Sequence, residues 1–408
     1  MRHTIAAPRP VGCTIALPTS KSISNRLLLL NVLCRSSRLP ANLSASDDTA
    51  VMLKALQSDM SHVDVGAAGT SMRFLTAYLA TLDGRHTITG SERMKQRPIG
   101  ILVDALRQLG ARIDYAEAEG YPPLHIEGRR LTGGVISLPG NVSSQYISAL
   151  MMVAPVMEQG LELHLEGKVI SQPYIAMTQR LMTLFGIAPE WDGRTIRVPH
   201  GSYRHAHMQV EADWSAASYW YAIAALAPGC RFTLEGLERD SSQGDSAVAD
   251  IARRLGVQTT FVDGGIEIAR TADPEPTLHY DFNRQPDLTQ TFVVLCCLMG
   301  VHFSFGGVES LRIKETDRMA ALTAEMAKLG YGIDTNGTDT LEWNGRTTAP
   351  APGTPVIDTY KDHRMAMAFA PAALLRPIVI DDPMVVTKSY PTFWDHLAAA
   401  GFDIDTQD

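Results

Sequence analysis

Residues 311 to 322 read LRIKETDRMAAL. At helical spacing Lys314 and Arg318 fall four residues apart on one face, with Glu315 and Asp317 between them. Like charges so placed cost a helix a few tenths of a kcal/mol. Such a pair either splays into water or grips an anion jointly, and in the second case the repulsion is useful.

Other segments put cations and hydroxyls where helices should begin. LPTSKSISNRLLLL, residues 17 to 30, sets Ser20 and Ser22 as candidate caps, with Lys21 in the first turn and Arg26 four residues after Ser22. Free backbone N–H groups and the helix dipole favour an anion at such a start, whereas a lysine there is misplaced unless an anionic ligand offsets it. GAAGTSMRFLTAYLA repeats the logic, with Gly69 allowing close backbone approach, Thr70 and Ser71 as caps, and Arg73 in the first turn. SERMKQRPIG places Arg93, Lys95 and Arg97 in a loop, after which Pro98 starts the next helix. LPGNVSSQYISALMM offers Ser143, Ser144 and Gln145, and VISQPYIAM adds Ser171 and Tyr174. Further on, Asp287 opens the apolar helix of RQPDLTQTF, DTYKDHRMAMAF sets Asp362, His363 and Arg364 at a helix start, and VVTKSYPTFW supplies Lys388. Taken singly, each is equally a plain capped helix or a solvated loop. Taken together, helix starts bearing Lys, Arg, Ser, Thr or Gly describe a site for multiply anionic small molecules, most simply phosphates and carboxylates.

Composition restricts the background. The 408 residues call for two domains or three, and 45% hydrophobic with 20% charged residues is ordinary for a globular protein. A net charge of −8 argues against a nucleic-acid or membrane-surface partner, so any basic site must be local. Cys13, Cys34, Cys230, Cys296 and Cys297 form no CxxC pair and no disulfide framework, and the last two sit in an apolar run as buried thiols. The opening MRHTIAAPRPVG has no apolar core of a secretory signal, and no run reaches the ~18 residues of a membrane span; a reduced cytoplasm is expected. Neither nucleotide-binding glycine signature is present, and the pair His205 and His207 reads as a loop rather than a metal site.

The elements that must position these residues recur. DALRQLGARIDY, QRLMTLFGIAPEW, ADIARRLGVQTTF, LTAEMAKLGYGID and FWDHLAAAGFDID each read as a helix end, a capping glycine and a short strand. Their glycines, Gly110, Gly186, Gly256, Gly330 and Gly401, return at intervals of about 70 residues. A sixth copy, AVMLKALQSDMSHVDV, lacks the glycine. Strand-like pieces such as GVISLP and LELHLEG lie between, so each copy is an α/β unit, and six copies divide naturally into three plus three near QVEADWSAASYWYAIAAL.

SKSISNR, AGTSMR, RPI, SSQYISALM, DWSAASY, KETDR, DHRMAMAFA and TKSYPTFW occur in the order of the signature blocks of the 3-phosphoshikimate 1-carboxyvinyltransferase (EPSP synthase) family, which the chain resembles over roughly residues 18 to 395. The resemblance implies a two-domain inside-out α/β barrel, six βαβαββ repeats arranged three per domain. It implies one domain from residues 1–18 and 213–408, another from 19–212, and an active site in the cleft between them that closes around ligand. It implies transfer of the enolpyruvyl group of phosphoenolpyruvate to the 5-hydroxyl of shikimate 3-phosphate, without a metal or organic cofactor, by a cytoplasmic monomer of a family that glyphosate targets.

Carried over by motif, the resemblance assigns shikimate 3-phosphate to Lys21, Ser22, Arg26, Ser143, Ser144, Gln145, Ser171, Tyr174, Asp287 and Lys314. Phosphoenolpyruvate falls to Lys21, Gly69, Thr70, Arg97, Gln145, Arg318, Arg364 and Lys388, with Arg73 in support. Proton transfer and neighbouring charge fall to Lys21, Asp287, Glu315 and His363, Asp287 and Glu315 first among them. The chain departs from the family pattern at Thr19, Ala67, Phe74, Gln172 and Ser310. The sister enolpyruvyl transferase acting on UDP-N-acetylglucosamine carries a reactive cysteine near the position of Arg97, and residues 85 to 100 contain none. A catalytically silent descendant would be expected to lose Lys21, Asp287, Glu315 or Lys388, and all four are present.

Overall fold

The computed structural model describes every residue except Pro8, Ser37 and Asp408. By internal packing the chain divides into two units, one of Met1–Thr19 with Glu211–Asp408 and the other of Ser20–Val210. The second is thus an insertion into the first. The connection leaves and re-enters through adjacent backbone: Thr19 bridges Ala212, and the Asp213 N–H donates to the Pro18 carbonyl at 2.9 Å.

Strands β1 (Arg2–Ala6) and β2 (Thr14–Ala16) precede the inserted unit. That unit opens with helices α1 (Lys21–Leu33) and α2 (Asp47–Leu56). Two regular βαβαββ copies follow. The first runs β3 (His62–Asp64), α3 (Gly69–Thr81), β4 (Gly84–Thr89), α4 (Gly100–Gln108), β5 (Arg112–Tyr115), β6 (Leu124–Gly128). The second runs β7 (Gly134–Pro139), α5 (Ser144–Val153), β8 (Leu161–Glu166), α6 (Gln172–Leu184), β9 (Glu190–Trp191), β10 (Thr195–Val198). Their sheets have orders β3-β4-β6-β5 and β7-β8-β10-β9. In both, the first pair is parallel and the other two pairings are antiparallel. A helix must bridge each parallel pair, because only a long crossover returns the chain to the same edge.

The enclosing unit continues with α7 (Trp214–Leu226), β11 (Arg231–Glu235), α8 (Val248–Arg254), β12 (Val257–Val262) and β13 (Gly265–Arg270). Its next copy is β14 (Thr277–Asp281), α9 (Thr289–Met299), β15 (His302–Gly306), α10 (Arg318–Lys328) and β16 (Leu341–Trp343). The last is β17 (Val356–Ile357), α11 (His363–Phe369), β18 (Ile378–Asp381), α12 (Phe393–Ala399) and β19 (Asp403–Gln407). The sheets β2-β11-β13-β12, β14-β15-β16 and β17-β18-β1-β19 likewise have one parallel pair at an edge and antiparallel pairings beyond it. Where β14-β15-β16 should have a fourth strand, the bridges Asp334↔Glu342 and Tyr331↔Thr347 stand in its place.

Five of the six repeats are therefore legible as sheets. The sixth keeps α1 and α2, but among the described residues its sheet is reduced to the parallel bridge Ala41↔Gln209. All five repeat glycines take positive φ, from 85° at Gly256 to 103° at Gly110, just past α4, α6, α8, α10 and α12. Each unit has its own apolar core. In the enclosing unit α7 is apolar on all sides, and Trp214, Tyr219, Trp220 and Tyr221 are fully buried, the pattern of a central rather than a surface helix. Cys296 and Cys297 lie buried in α9, where loss of water pushes both thiols up and keeps them unreactive.

Candidate active site

In the inserted unit, four helix starts carry the expected residues, and long-range side-chain bonds tie them together. Ser20 caps α1 by accepting from the Ile23 N–H, so Lys21 is the first helical residue; its Nζ pairs with Asp48 at 3.1 Å. One turn on, Arg26 donates to the Ser22 carbonyl at 2.9 Å, Thr178 Oγ1 at 2.8 Å, Ser148 Oγ at 3.1 Å and the Tyr174 carbonyl at 3.5 Å. These partners lie on α1, α5 and α6. All are neutral oxygens, and burial draws the Arg26 pKa down to about 10, which leaves it charged near neutral pH.

Ser143 caps α5, with Ser144 and Gln145 in its first turn, and Gln145 Nε2 donates to Thr70 Oγ1 at 3.1 Å, joining α5 to α3. Ser171 precedes α6 in the left-handed region, φ 52°, and accepts from the Tyr174 N–H through its carbonyl. Thr70 and Ser71 do not cap α3 as the sequence suggested. The helix begins at Gly69 without a side-chain cap, and Ser71 instead donates to the Asp48 carbonyl. Nor does Pro98 start a helix: α4 begins two residues later, and the Pro98 carbonyl accepts from Arg73 and Tyr146.

Arg97 lies flat against Gly69. A Cβ at that position would stand 2.6 Å from Nη1 and 3.0 Å from Cζ, so any other residue there would push the guanidinium from its present place. Arg73 fixes both sides of this contact, donating to the Gly69 carbonyl at 3.1 Å and the Pro98 carbonyl at 3.2 Å. Arg97 itself is only 7% exposed, and its buried Nε has no hydrogen-bond partner among the described residues. A buried cation in that condition is costly unless an anion completes it.

The enclosing unit gathers the remaining candidates around Asp287. Its carboxylate is 2.8 Å from Arg364 Nη2, 3.2 Å from Arg318 Nη1 and 3.7 Å from Lys314 Nζ. Arg318, 1% exposed, also binds Asp362 at 2.7 Å and Glu315 at 2.9 Å, and Glu315 holds Lys388 at 3.3 Å. Four cations thus face three carboxylates. Lys314 and Arg318 do not share a helix face, because α10 begins only at Arg318, capped by Asp317, and Lys314 is extended. The pair neither splays into water nor repels along a helix; both converge on Asp287.

Burial alone would raise the Asp287 pKa, yet Arg364, Lys314 and Arg318 hold it well below the usual carboxylate range. Burial lowers Lys314, against the pull of Asp287. Asp362 caps α11 through the Arg364 N–H, so His363, almost fully buried, is not the cap; its Nδ1 is 3.7 Å from Asp362.

Two carboxylates escaped the sequence reading. Asp48 carried only the weak signal of an acid at a helix start, with no cation beside it in sequence, and reaches Lys21 through the packing of α2 on α1. Asp245 had no such signal: it accepts a hydrogen bond from Ser215 Oγ, and burial followed by the nearby Asp287 pushes it up to about 7. No group of three or more His, Cys, Asp or Glu among the described residues could hold a metal ion, and none of the described helices is long and apolar enough to cross a membrane.

Repeated βαβαββ copies carrying cation-rich helix starts define an enolpyruvyl-transferase type of protein, and the fold comparison agrees. An EPSP synthase structure from Acinetobacter baumannii superposes with a TM-score of 0.76 over 100% of both chains, at 21% identity. The EPSP synthase (3-phosphoshikimate 1-carboxyvinyltransferase) family model matches residues 58–397, and the chain belongs to that family. A 3-phosphoshikimate 1-carboxyvinyltransferase of Bacteroides fragilis is 53% identical over 99% of each chain. One from Neisseria meningitidis serogroup B is 38% identical over 97% of each.

Proposed function

We propose that this chain transfers the enolpyruvyl group of phosphoenolpyruvate to the 5-hydroxyl of shikimate 3-phosphate, a step toward chorismate and the aromatic amino acids, in the cytoplasm and as a monomer. Membership of the EPSP synthase family supports the reaction. The observation that carries the site is the pair of buried guanidiniums, Arg26 and Arg97, that no carboxylate neutralises among the described residues. Both substrates are polyanions, and neither nucleic acid nor a membrane surface suits a chain of net charge −8.

In this reading Ser22, Arg26, Ser143, Ser144, Ser171, Tyr174 and Lys314 hold shikimate 3-phosphate. Gly69, Thr70, Arg97, Arg318, Arg364 and Lys388 hold phosphoenolpyruvate, while Lys21 and Gln145 serve both. The 5-hydroxyl oxygen bonds to the enol carbon and gives up its proton to Asp287, which Arg364, Lys314 and Arg318 keep ionised and which becomes a stronger base as the anionic substrates draw those cations away. The methylene carbon takes a proton from an acid, to which Lys21 or Glu315 is assigned. The tetrahedral phosphoketal then returns a methyl proton as the C–O bond to phosphate breaks, and Arg318, Arg364 and Lys388 offset the charge developing on the leaving phosphate. His363 tunes this charge from behind Asp362.

Phosphate release from the purified protein tests the proposal. Release that requires both shikimate 3-phosphate and phosphoenolpyruvate, fails with UDP-N-acetylglucosamine as acceptor, and falls at least a hundredfold in Glu315→Ala is expected, the scale typical of a lost acid–base group. No release with either acceptor would overturn it.

A further inference from the structure

The Phe74 ring lies against the Arg26 guanidinium, with Cζ 5.4 Å from the ring centroid. Phe74 is completely buried and Arg26 is 2% exposed. The hydrogen bonds of Arg26 run from the edge of its plane to α1, α5 and α6. They set the direction of the guanidinium but do not bear on its face. Phe74 supplies that contact from a fourth helix, α3. Its place there is firm, because the neighbouring Arg73 is bonded to Gly69 and Pro98. An aromatic face attracts a cation most strongly where water is excluded, and a ring that needs no charge of its own leaves the positive charge available to a ligand. A carboxylate at the same place would have cancelled it.

We propose that Phe74 is a positioning residue for shikimate 3-phosphate: its ring seats the Arg26 guanidinium and so sets affinity for that substrate without touching it. The proposal rests on Arg26 being a ligand of shikimate 3-phosphate. A plain core phenylalanine would contribute stability and nothing else. The two differ in which constant moves.

The test pairs Phe74→Leu, which removes the ring and keeps an apolar side chain, with Phe74→Tyr, which keeps the ring. Steady-state kinetics for each substrate, calorimetric binding of shikimate 3-phosphate to the free enzyme, and Tm are measured together. Phe74→Leu is expected to weaken shikimate 3-phosphate binding and raise its KM about three- to tenfold, with kcat and the phosphoenolpyruvate KM within about twofold, and Phe74→Tyr to restore it. In an Arg26→Lys background, Phe74→Leu should add little, since the planar face is gone. A lower Tm with an unchanged shikimate 3-phosphate constant would overturn the proposal, as would equal losses for both substrates. If Phe74→Leu fails to fold, Phe74→Met, which likewise removes the ring and keeps an apolar side chain of similar length, decides by the same constants. An Arg26→Lys enzyme that binds shikimate 3-phosphate normally would show instead that the underlying reading of Arg26 is wrong.

Discussion

At the scale of single residues, the arrangement depends on a missing methyl group and on two carboxylates with opposed pKa shifts. Arg97 can lie against Gly69 only because no Cβ stands there. Gly69→Ala should displace the guanidinium by a few tenths of an ångström or more. We expect kcat/KM for phosphoenolpyruvate to fall roughly ten- to hundredfold while Tm barely changes, since displacement of a binding group by ~1 Å reaches that size; steady-state kinetics beside a melting curve checks both. Asp245 and Asp287 respond to pH in opposite senses. Asp287 lies below its unfolded value of about 3.9, so its stabilisation is present above that pH and is lost as pH falls. Asp245 lies near 7, so between about 4 and 7 the folded chain holds a proton that the unfolded chain has released, and stability declines as pH rises through that window. Replacing Asp245 by Asn should flatten the decline of Tm between about pH 4 and 7 and leave the acid limb unchanged; a wild-type profile already flat over that range would refute the assignment.

At the scale of elements, the sequence was most legible where one residue type has one physical use. Gly110, Gly186, Gly256, Gly330 and Gly401 all close helices with positive φ, as a spaced series of glycines after apolar helices suggests. Ser20, Ser143 and Asp362 cap the helices they precede. Reading failed where two nearby residues compete for one role. Asp317 takes the cap of α10, and this ends the apparent helical register of Lys314 with Arg318; hydroxyls at Thr70 and Ser71 look like caps but bond Gln145 and the Asp48 carbonyl instead. The turn before α11 was not legible at all. Tyr360 and Lys361 are both left-handed, φ 52° and 56°, and such strain in non-glycine residues must be held by its surroundings. Glu325, fully buried on α10, holds it: its carboxylate accepts from Tyr360 OH at 2.7 Å, the Asp358 N–H at 3.0 Å and Lys328 Nζ at 2.6 Å. Tyr360→Phe should cost about 1–3 kcal/mol, and Glu325→Ala about 3–5 kcal/mol, in denaturant unfolding. Both should also loosen Asp362 and Arg364 just downstream, which amide hydrogen exchange over α11 would reveal.

At the scale of the whole molecule, the division into two units with separate cores makes each a candidate folding unit. The inserted unit is continuous in sequence, so residues 20–210 expressed alone should unfold cooperatively in urea with a near-native circular dichroism spectrum; a broad, baseline-like transition would show that it borrows stability from the rest. The enclosing unit has no such independence, because β1 is an interior strand of its sheet, pairing with β18 on one side and β19 on the other. That pairing has a temporal consequence on the ribosome. Ile5 meets Ile378 across about 370 residues of chain, and at some 5–20 residues per second β1 must wait roughly 20 to 70 seconds for its neighbours. For that interval a strand whose inward side chains, His3 and Ile5, are meant for the core stands without partners while the inserted unit can already be complete. Nascent chains stalled before residue 378 should therefore engage holdase chaperones through their first segment, and release of the final repeat should end the dependence.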